Sequence, residues 1–106
     1  MTSKLRLVAG LLPQGIDEAV EYPFDFLKYV TDYGAPTAEG TVELWDLTDD
    51  EDASGLLVGS PSLSGNVVTS SIVTGLTLGH RYQLTQAANF TGGVIFSGFL
   101  LIQAER

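Results

Sequence analysis

The segment that decides the fold is residues 73–84, which read VTGLTLGHRYQL. An apolar strand end is followed by a turn between two glycines, and Tyr82 then opens a segment in which apolar and polar residues alternate. In two-sheet β-sandwiches, a tyrosine at this place packs under the turn, and its hydroxyl bonds to nearby backbone. The segment therefore predicts a structural corner built on Leu76, Gly79 and Tyr82 in an all-β protein.

Composition limits both the size and the chemistry of the protein. The chain has 106 residues, which suits one domain, and we expect a single domain over residues 1–106. There is no cysteine, so disulfides and thiolate metal sites are excluded. Thirteen acidic and five basic side chains give a formal charge of −8. Because phosphate backbones are held by lysine and arginine, this charge argues against nucleic-acid binding.

The N-terminal region contains a short apolar run behind two basic residues. Lys4 and Arg6 precede Leu11 and Leu12, but Arg6 and Pro13 interrupt the apolar run. We interpret it as a first strand and not as a signal peptide, and we expect synthesis in the cytoplasm. No run approaches the roughly 18 apolar residues that a membrane span needs, so we expect no membrane contact.

Short segments of alternating character recur about every ten residues, separated by turn residues, and this pattern predicts a sandwich of about seven to eight strands. Pro23 indicates an edge strand or a bulge, because proline cannot donate to a ladder. Residues 27–33 are predicted to form a helical turn or a strand end. The predicted strands cover residues 4–8, 18–26, 40–47, 56–58, 66–73, 81–90 and 94–103.

The alternation also predicts which side chains face the core. In residues 40–47, Leu44 and Asp46 share one parity and Trp45 has the other. We nevertheless expect Trp45 to be buried through a bulge, because a large ring on a central strand often fills the space between two sheets. In residues 81–90, the inward positions are Tyr82, Leu84 and Gln86.

Charge is distributed unevenly along the chain. The acidic residues are concentrated in residues 17–52, whereas Arg81 is the only formally charged residue in residues 53–104. The neutral half is either an ordinary hydroxyl-rich β surface or a contact surface, since interface cores are depleted in charge. The last strand is our leading contact candidate, because a free edge invites a partner strand. Its candidate interface residues are Ile95, Phe99 and Leu101.

The acidic loop, residues 46–52, is the best candidate for a cation site. Asp50, Asp52 and Ser54 place oxygen ligands at alternate positions before a glycine, as at the start of a calcium loop. Pro61 stands where the bidentate glutamate of an EF-hand is required, and no helices are predicted to flank the loop. We therefore expect a solvated charged loop without a metal, and keep Asp50, Asp52 and Ser54 as weak candidate ligands.

Nothing in the sequence indicates catalysis. His80 is the only histidine, so it cannot form a metal cluster with other histidines, and its place in a turn predicts a structural surface role. No nucleophile motif or pair of carboxylates in a cleft context is present. We expect no enzymatic activity and no cofactor. Five aromatic residues form either a core strand, which we favour, or a sugar-stacking face: Tyr22, Phe24, Phe26, Tyr29 and Tyr33.

The order of motifs along nearly the whole chain resembles a known group of proteins. The motifs are Asp17-Glu18 before Tyr22-Pro23-Phe24-Asp25-Phe26, Trp45, Gly55-Leu56, Ser62-x-Ser64-Gly65-x-Val67, Val73-Thr74-Gly75-Leu76, Gly79-x-x-Tyr82-x-Leu84, and Gly92-Gly93 before the last strand. This order is similar to that of small immunoglobulin-like structural proteins of tailed bacteriophages, the fibre–tail adaptor or minor virion proteins. The acidic stretch 48–53 departs from the pattern.

The resemblance implies an immunoglobulin-like antiparallel β-sandwich that assembles in the virion and has no catalytic residues. Its expected partners are other phage structural proteins of the tail, fibre or capsid, and copies of itself in a homo-oligomer. Two alternatives stay open at this point. One is a capsid cement or decoration protein, and the other is a carbohydrate- or calcium-dependent adhesion module.

Overall fold

The computed structural model describes residues 11–106, in which strands predominate, and this confirms the all-β class. The strand predicted over residues 4–8 lies outside the described residues. The described elements are β1 (Leu11–Gly15), β2 (Pro23–Asp25), α1 (Leu27–Tyr33), β3 (Ala38–Asp46), β4 (Glu51–Asp52), a 3-10 turn (Ser54–Leu56), β5 (Leu57–Val58), β6 (Ser62–Ser64), β7 (Val67–Thr69), β8 (Ile72–Val73), β9 (Arg81–Asn89), a 3-10 turn (Thr91–Gly93) and β10 (Ile95–Glu105).

The described strands form three hydrogen-bonded groups. The largest is a five-stranded sheet in the order β1-β10-β9-β3-β4. A three-stranded sheet has the order β2-β7-β6, and β5 pairs with β8. Every described strand pair is antiparallel except β1 with β10, which run parallel with Leu11 opposite Leu101. The expectation of a purely antiparallel architecture is therefore wrong at this one pair.

One hydrophobic core joins the five-stranded and three-stranded sheets. Leu44 and Leu84 are Cα partners on β3 and β9, and both are fully buried. Phe24 and Val68, partners on β2 and β7, belong to the same cluster of buried side chains. Full burial of a side chain of this size contributes about 2 kcal/mol relative to exposure. The two sheets are thus held together by the inward residues of their central strands.

The inward residues of β9 lie as the alternation predicts. The exposed fraction of Tyr82 is 1%, and Leu84 and Gln86 are completely buried. The side-chain amide of Gln86 donates to the carbonyl oxygens of Gly40 and Thr41, at 3.3 Å each. These carbonyls lie where the register of β3 shifts against β9, so the amide satisfies acceptors that the bulge removes from the ladder.

Trp45 is exposed, contrary to our expectation. Its exposed fraction is 41%, whereas Leu44 is fully buried. The bulge in β3 lies between Glu39 and Val42, ahead of the tryptophan, so the alternation runs unbroken from Val42 to the strand end. Strand parity therefore predicts the exposure of Trp45 correctly, whereas the general preference for a buried ring on a central strand predicts it wrongly.

Several predicted segments are shorter or divided in the structure. Only Pro23–Asp25 of residues 18–26 forms a strand, and it lies at the edge of its sheet, as Pro23 predicts. Residues 66–73 divide into β7 and β8. At the break, the hydroxyl of Ser70 donates to the carbonyl of Ser71, and the hydroxyl of Ser71 donates to the carbonyl of Gly59. Residues 27–33 form the helix α1. No helix in the described part of the chain has the length and apolar character to cross a bilayer.

β10 is not an edge strand along its whole length, which corrects the site predicted for strand addition. Residues 101–105 lie between β1 and β9. The side chains of Ile95, Phe99 and Leu101 share one face of the sheet, since they lie at alternate positions of the strand. A partner would therefore contact these side chains on the face of the sheet and not at its edge.

Gly40 tests the close approach of β3 and β9. A Cβ atom at Gly40 would lie 2.8 Å from Cβ of Ala87 and 2.9 Å from its carbonyl carbon. Because backbone must move to make room, we expect Gly40→Ala to lower the free energy of unfolding by about 1–3 kcal/mol in urea titrations. Gly55→Ala is the control, since no atom lies within 4 Å of its Cβ position. Equal stability of the two variants would contradict the packing described.

Candidate functional site

A pocket of about 300 Å³ lies at the end of β3, between the acidic loop and the turn that leads into β9. The corner side is formed in part by Gly75, Thr77 and Tyr82. The loop side carries most of the charge near the pocket, so the opening is strongly acidic. The acidic residues that line it are Asp46, Asp49, Glu51 and Asp52.

Asp46 organises this end of the molecule. Its position on β3 turns the side chain inward, opposite Tyr82, and it is only 5% exposed. Oδ1 accepts hydrogen bonds from the backbone N–H groups of Thr48 at 2.9 Å and Asp49 at 3.0 Å. Oδ2 lies 2.8 Å from Nδ1 of His80. One carboxylate therefore fixes the start of the acidic loop and ties it to the turn before β9.

The contact shifts the pKa of both partners. Burial alone raises the pKa of Asp46, but the hydrogen bonds from His80, Asp49 and Thr48, together with the charge of His80, outweigh it and lower that pKa. The hydrogen bond to Asp46 raises the pKa of His80 above 6.5, and the charges of Asp46, Asp49 and Glu51 act in the same direction. The charged forms of both side chains are stabilised, so the pair is an ion pair over a wider pH range than isolated side chains would allow.

Asp49 brings a second carboxylate to this pair. Its Oδ2 lies 3.8 Å from Nδ1 of His80. Asp46, Asp49 and His80 each offer one ligand atom, and these atoms lie within 4.8 Å of one another. Carboxylate oxygens and an imidazole nitrogen are ligands that suit Zn²⁺ and related cations. The same atoms also form a complete ion-pair and hydrogen-bond arrangement without a metal.

Asp50, Asp52 and Ser54, the candidate ligands suggested by the sequence, form hydrogen bonds with nearby residues. Oδ1 of Asp50 accepts a hydrogen bond from the indole N–H of Trp45 at 3.3 Å. Oδ1 of Asp52 accepts the N–H of Ser54 at 2.9 Å, and Oγ of Ser54 accepts the N–H of Leu44 at 3.0 Å. These bonds fold the loop back on the end of β3. The sequence interpretation of His80 as surface structure missed its pairing with Asp46, although the inward parity of Asp46 called for a partner.

The corner before β9 lies beside this cluster. The hydroxyl oxygen of Tyr82 accepts the backbone N–H of Thr77 at 2.9 Å. Leu76 is buried, and Gly79 has φ of +84°, a conformation that glycine adopts without strain. The N–H of Gly79 donates to the carbonyl of Ala104 on β10 at 3.0 Å. The corner thus joins the acidic end of the protein to its last strand.

A second candidate site is the outward face of the five-stranded sheet, here called the outward face. Leu11, Leu101, Gln83, Trp45 and Asp52 are successive cross-strand partners and form one row across it. The exposed fractions of Ile95, Phe99 and Trp45 are 62%, 40% and 41%. Large apolar side chains therefore stand in water among neutral residues of β9. Grouped exposed apolar side chains are a feature of contact surfaces, so the outward face is a candidate contact surface.

Comparison of the chain with protein families, with curated proteins and with solved structures gives no match.

Tyr82 provides a test of the corner. In Tyr82→Phe the N–H of Thr77 loses its acceptor while the ring stays in the core, so we expect the free energy of unfolding to fall by about 1–2 kcal/mol. Tyr33→Phe is the matched control, since Tyr33 is 43% exposed. Chemical denaturation of the two variants measures the difference. A corner held by packing alone would leave the two variants equally stable.

The His80–Asp46 pair makes stability depend on pH. Because folding raises the pKa of His80, its stabilisation is complete below pH 6.5 and is lost as pH rises through the folded pKa. The contribution of Asp46 is complete above pH 3.8 and is lost as pH falls through its lowered pKa. We expect the melting temperature of the unmodified chain to exceed that of His80→Gln most between pH 3.8 and 6.5. A difference in melting temperature that grew as the pH rose above 6.5 would contradict the predicted role of the ion pair.

Proposed function

We propose that this chain is an immunoglobulin-like β-sandwich that serves as a non-enzymatic assembly or adaptor module of a tailed bacteriophage particle. Its outward face would pack against other virion proteins and against copies of the same chain. Its mechanism is packing, in which a rigid scaffold presents a preformed apolar surface. The observation that carries this proposal is the exposure of Ile95 and Phe99 on the outward face, beside uncharged partners on β9, in a protein with a formal charge of −8.

The strand order supports the immunoglobulin-like part of the proposal. Such sandwiches place strands B, E and D in one sheet and strands C, F and G in the other, and variable-type domains add a strand C′ beside C. In this chain β2-β7-β6 follow the first order, and β10-β9-β3-β4 follow the order G-F-C-C′. The equivalence also preserves the order of the strands along the chain.

The core supports the same interpretation. Tyr82 lies near the start of β9, with its hydroxyl bonded to backbone upstream, as in the tyrosine corner at the start of strand F. Leu84 stands two residues later, where antibody domains have the second cysteine of their disulfide. Leu84, Leu44 and Phe24 are fully buried on β9, β3 and β2. Apolar side chains fill the space that a disulfide and a tryptophan occupy in antibody domains.

The charge distribution favours the outward face over other surfaces as the contact. A protein with a formal charge of −8 repels its own copies at most orientations, because like charges approach at close range. Around Ile95 and Phe99, the cross-strand partners on β9 are Asn89 and Thr85, which carry no charge. Two copies, or a copy and another virion protein, can meet there while burying apolar area and few charged groups.

The phage setting rests on the order of motifs that resembles the fibre–tail adaptor and minor virion proteins. A capsid cement protein would use the same kind of surface at a different place on the particle. Immunogold labelling of particles made by the genome that encodes the chain separates the two, because label falls on the tail or on the capsid. Purified particles without detectable chain by mass spectrometry would end both proposals.

A cation-dependent adhesion module is the second candidate, and the grouping of Asp46, Asp49 and His80 favours it. Calcium or zinc bound between the acidic loop and the corner would raise the melting temperature by mass action. The discriminating measurement is thermal melting with calcium, with zinc and with EDTA, followed by glycan-array binding. An unchanged melting temperature in calcium, zinc and EDTA, together with no binding on the glycan array, would exclude the adhesion module and favour the assembly module.

Ile95 tests the outward face. It is 62% exposed, so Ile95→Asp should fold normally while placing a charge on the proposed contact surface. We expect self-association to weaken on the order of 30-fold, the effect of losing an apolar residue that contributes strongly to a contact. Light scattering coupled to size exclusion over a range of concentrations measures the molar mass. Melting curves of the variant verify that the fold is intact.

Val58→Asp is the matched control, since Val58 is a 51% exposed apolar residue on β5, outside the five-stranded sheet. We expect this variant to associate like the unmodified chain. Equal loss of association in both variants would show that added charge, and not the outward face, is responsible. A chain that is monomeric without any substitution would remove self-association from the proposal and leave only contact with other virion proteins.

A further inference from the structure

One end of the outward face carries a cation without a carboxylate partner in the described part of the chain. Arg81 begins β9 and is the only basic residue in any described strand. It is exposed, and its Nε donates to Oε1 of Gln103 on β10 at 3.0 Å. Since β10 and β3 lie on opposite sides of β9, this bond directs the arginine side chain away from β3. The charge of Arg81 is therefore presented to solvent.

β3, on the other side of β9, carries the exposed ring of Trp45. This is the only tryptophan of the chain, and it is 41% exposed. Its indole N–H donates to Oδ1 of Asp50 at 3.3 Å, which holds the ring in place. A side chain that is already ordered loses little entropy when a partner covers it. The ring of Trp45 is thus a preformed surface for a partner.

Carboxylates surround this ring. Glu43 lies two residues before Trp45 on the same face of β3, and Asp52 is the cross-strand partner of Trp45 on β4. Asp52 accepts the N–H of Ser54. The exposed side chain of Glu43, by contrast, has no hydrogen bond or ion pair among the described residues. Tryptophan is the aromatic residue that binds cations best, and a guanidinium can stack on a ring while it bonds to a carboxylate.

Arg81 and Trp45 lie close enough on the face to be exchanged between two copies of the chain. Gln83 is the Cα partner of Trp45 on β9 and follows Arg81 by two residues. Strand spacing of about 4.8 Å and a rise of about 3.4 Å per residue place the Cα atoms of Arg81 and Trp45 roughly 8 Å apart. A two-fold axis between them brings the arginine of each copy to the tryptophan of the other, so both contacts form at once.

The size of the outward face suits a specific dimer. Five strands about 4.8 Å apart, with nine residues in β9, give it an area of roughly 600 Å² per copy. A standard interface buries about 800 Å² per partner, so this contact depends on a few strong anchors. Tryptophan and arginine are enriched among such anchors. Because a formal charge of −8 opposes self-association, a pair of opposite charges also favours this orientation over others.

We propose that the outward face binds a second copy of the chain through two symmetric contacts, in each of which Arg81 of one copy stacks on Trp45 of the other and pairs with its Glu43. The inference rests on the proposed function, because it takes the outward face as a contact between copies. It adds the occupant, the symmetry and the residues that hold the contact. Leu101, the Cα partner of Gln83 on β10, lies beside the axis and is covered in the same contact.

Exchanging the two charges tests the pairing. Arg81→Glu brings like charges together at both contacts, and Glu43→Arg does so with the opposite sign, so we expect each variant to weaken association about tenfold or more. The double variant, Arg81→Glu with Glu43→Arg, restores both pairs with their charges reversed. It should associate within about threefold of the unmodified chain. The measurement is analytical ultracentrifugation of the full chain over a range of concentrations at constant salt.

Arg106→Glu is the matched control for Arg81→Glu, since both replace a cation by an anion and Arg106 is an exposed residue that follows β10. It should associate like the unmodified chain. Glu43→Arg makes the net charge less negative, so weaker association of this variant cannot arise from general repulsion. Melting curves verify the fold of each variant. A folded double variant that stays dissociated would overturn the proposal.

The single tryptophan reports on the contact without any substitution. Because the second copy covers Trp45, we expect its fluorescence to become less accessible to quenching by acrylamide as the concentration rises from monomer to dimer. In Arg81→Glu the quenching should stay at the monomer level over the same range. Quenching of the unmodified chain that does not change while its molar mass doubles would overturn the proposal, even if none of the variants folds.

Ile95→Asp separates this inference from the proposed function. Loss of association in Ile95→Asp but not in Arg81→Glu would keep the outward face as the contact and would overturn the pairing of Arg81 with Trp45. Loss in neither variant would overturn both. A chain that is monomeric at every concentration would overturn this inference and leave other virion proteins as the occupants of the face.

Discussion

The pairing of β9 with a strand on each side is the constraint on which the rest of the structure depends. β3 and β10 both take their register from β9, and β9 supplies the inward residues Tyr82, Leu84 and Gln86. Because side chains alternate between faces, a shift of one residue in β9 would expose this set and bury its polar neighbours. The bulge in β3, the corner before β9 and the outward face of β10 all follow from that fixed alignment.

The sequence predicted most of this framework because strand alternation and turn residues are local signals. The positions of β3 and β9 were predicted to within about two residues at each end, and the inward parity of Leu84 and the edge position of Pro23 also followed from local spacing. The burial of Trp45 was predicted wrongly, because a general preference for a large ring in the core was given more weight than its parity. The parallel pairing of β1 with β10 joins residues about 90 apart, and no local pattern encodes it.

The same difference between local and long-range signals applies to the candidate sites. Ile95, Phe99 and Leu101 were identifiable from one short apolar segment, since strand parity alone assigns them to a common face. The link between Asp46 and His80 spans 34 residues and depends on how the corner meets the end of β3. An inward aspartate on a strand is the local sign of such a link, because a buried charge needs a partner. The identity of that partner required the fold.

The parallel pairing of β1 and β10 has a mechanical consequence. Leu11 begins β1 beside Leu101, whereas Glu105 ends β10 beside Gly15. Tension that draws Leu11 and Glu105 apart slides the two strands past each other, so all the hydrogen bonds between them share the load and none opens first. Antiparallel neighbours pulled from adjacent ends would instead separate one bond at a time. Because the unfolding rate governs resistance to force, this geometry favours a domain that holds its shape under tension.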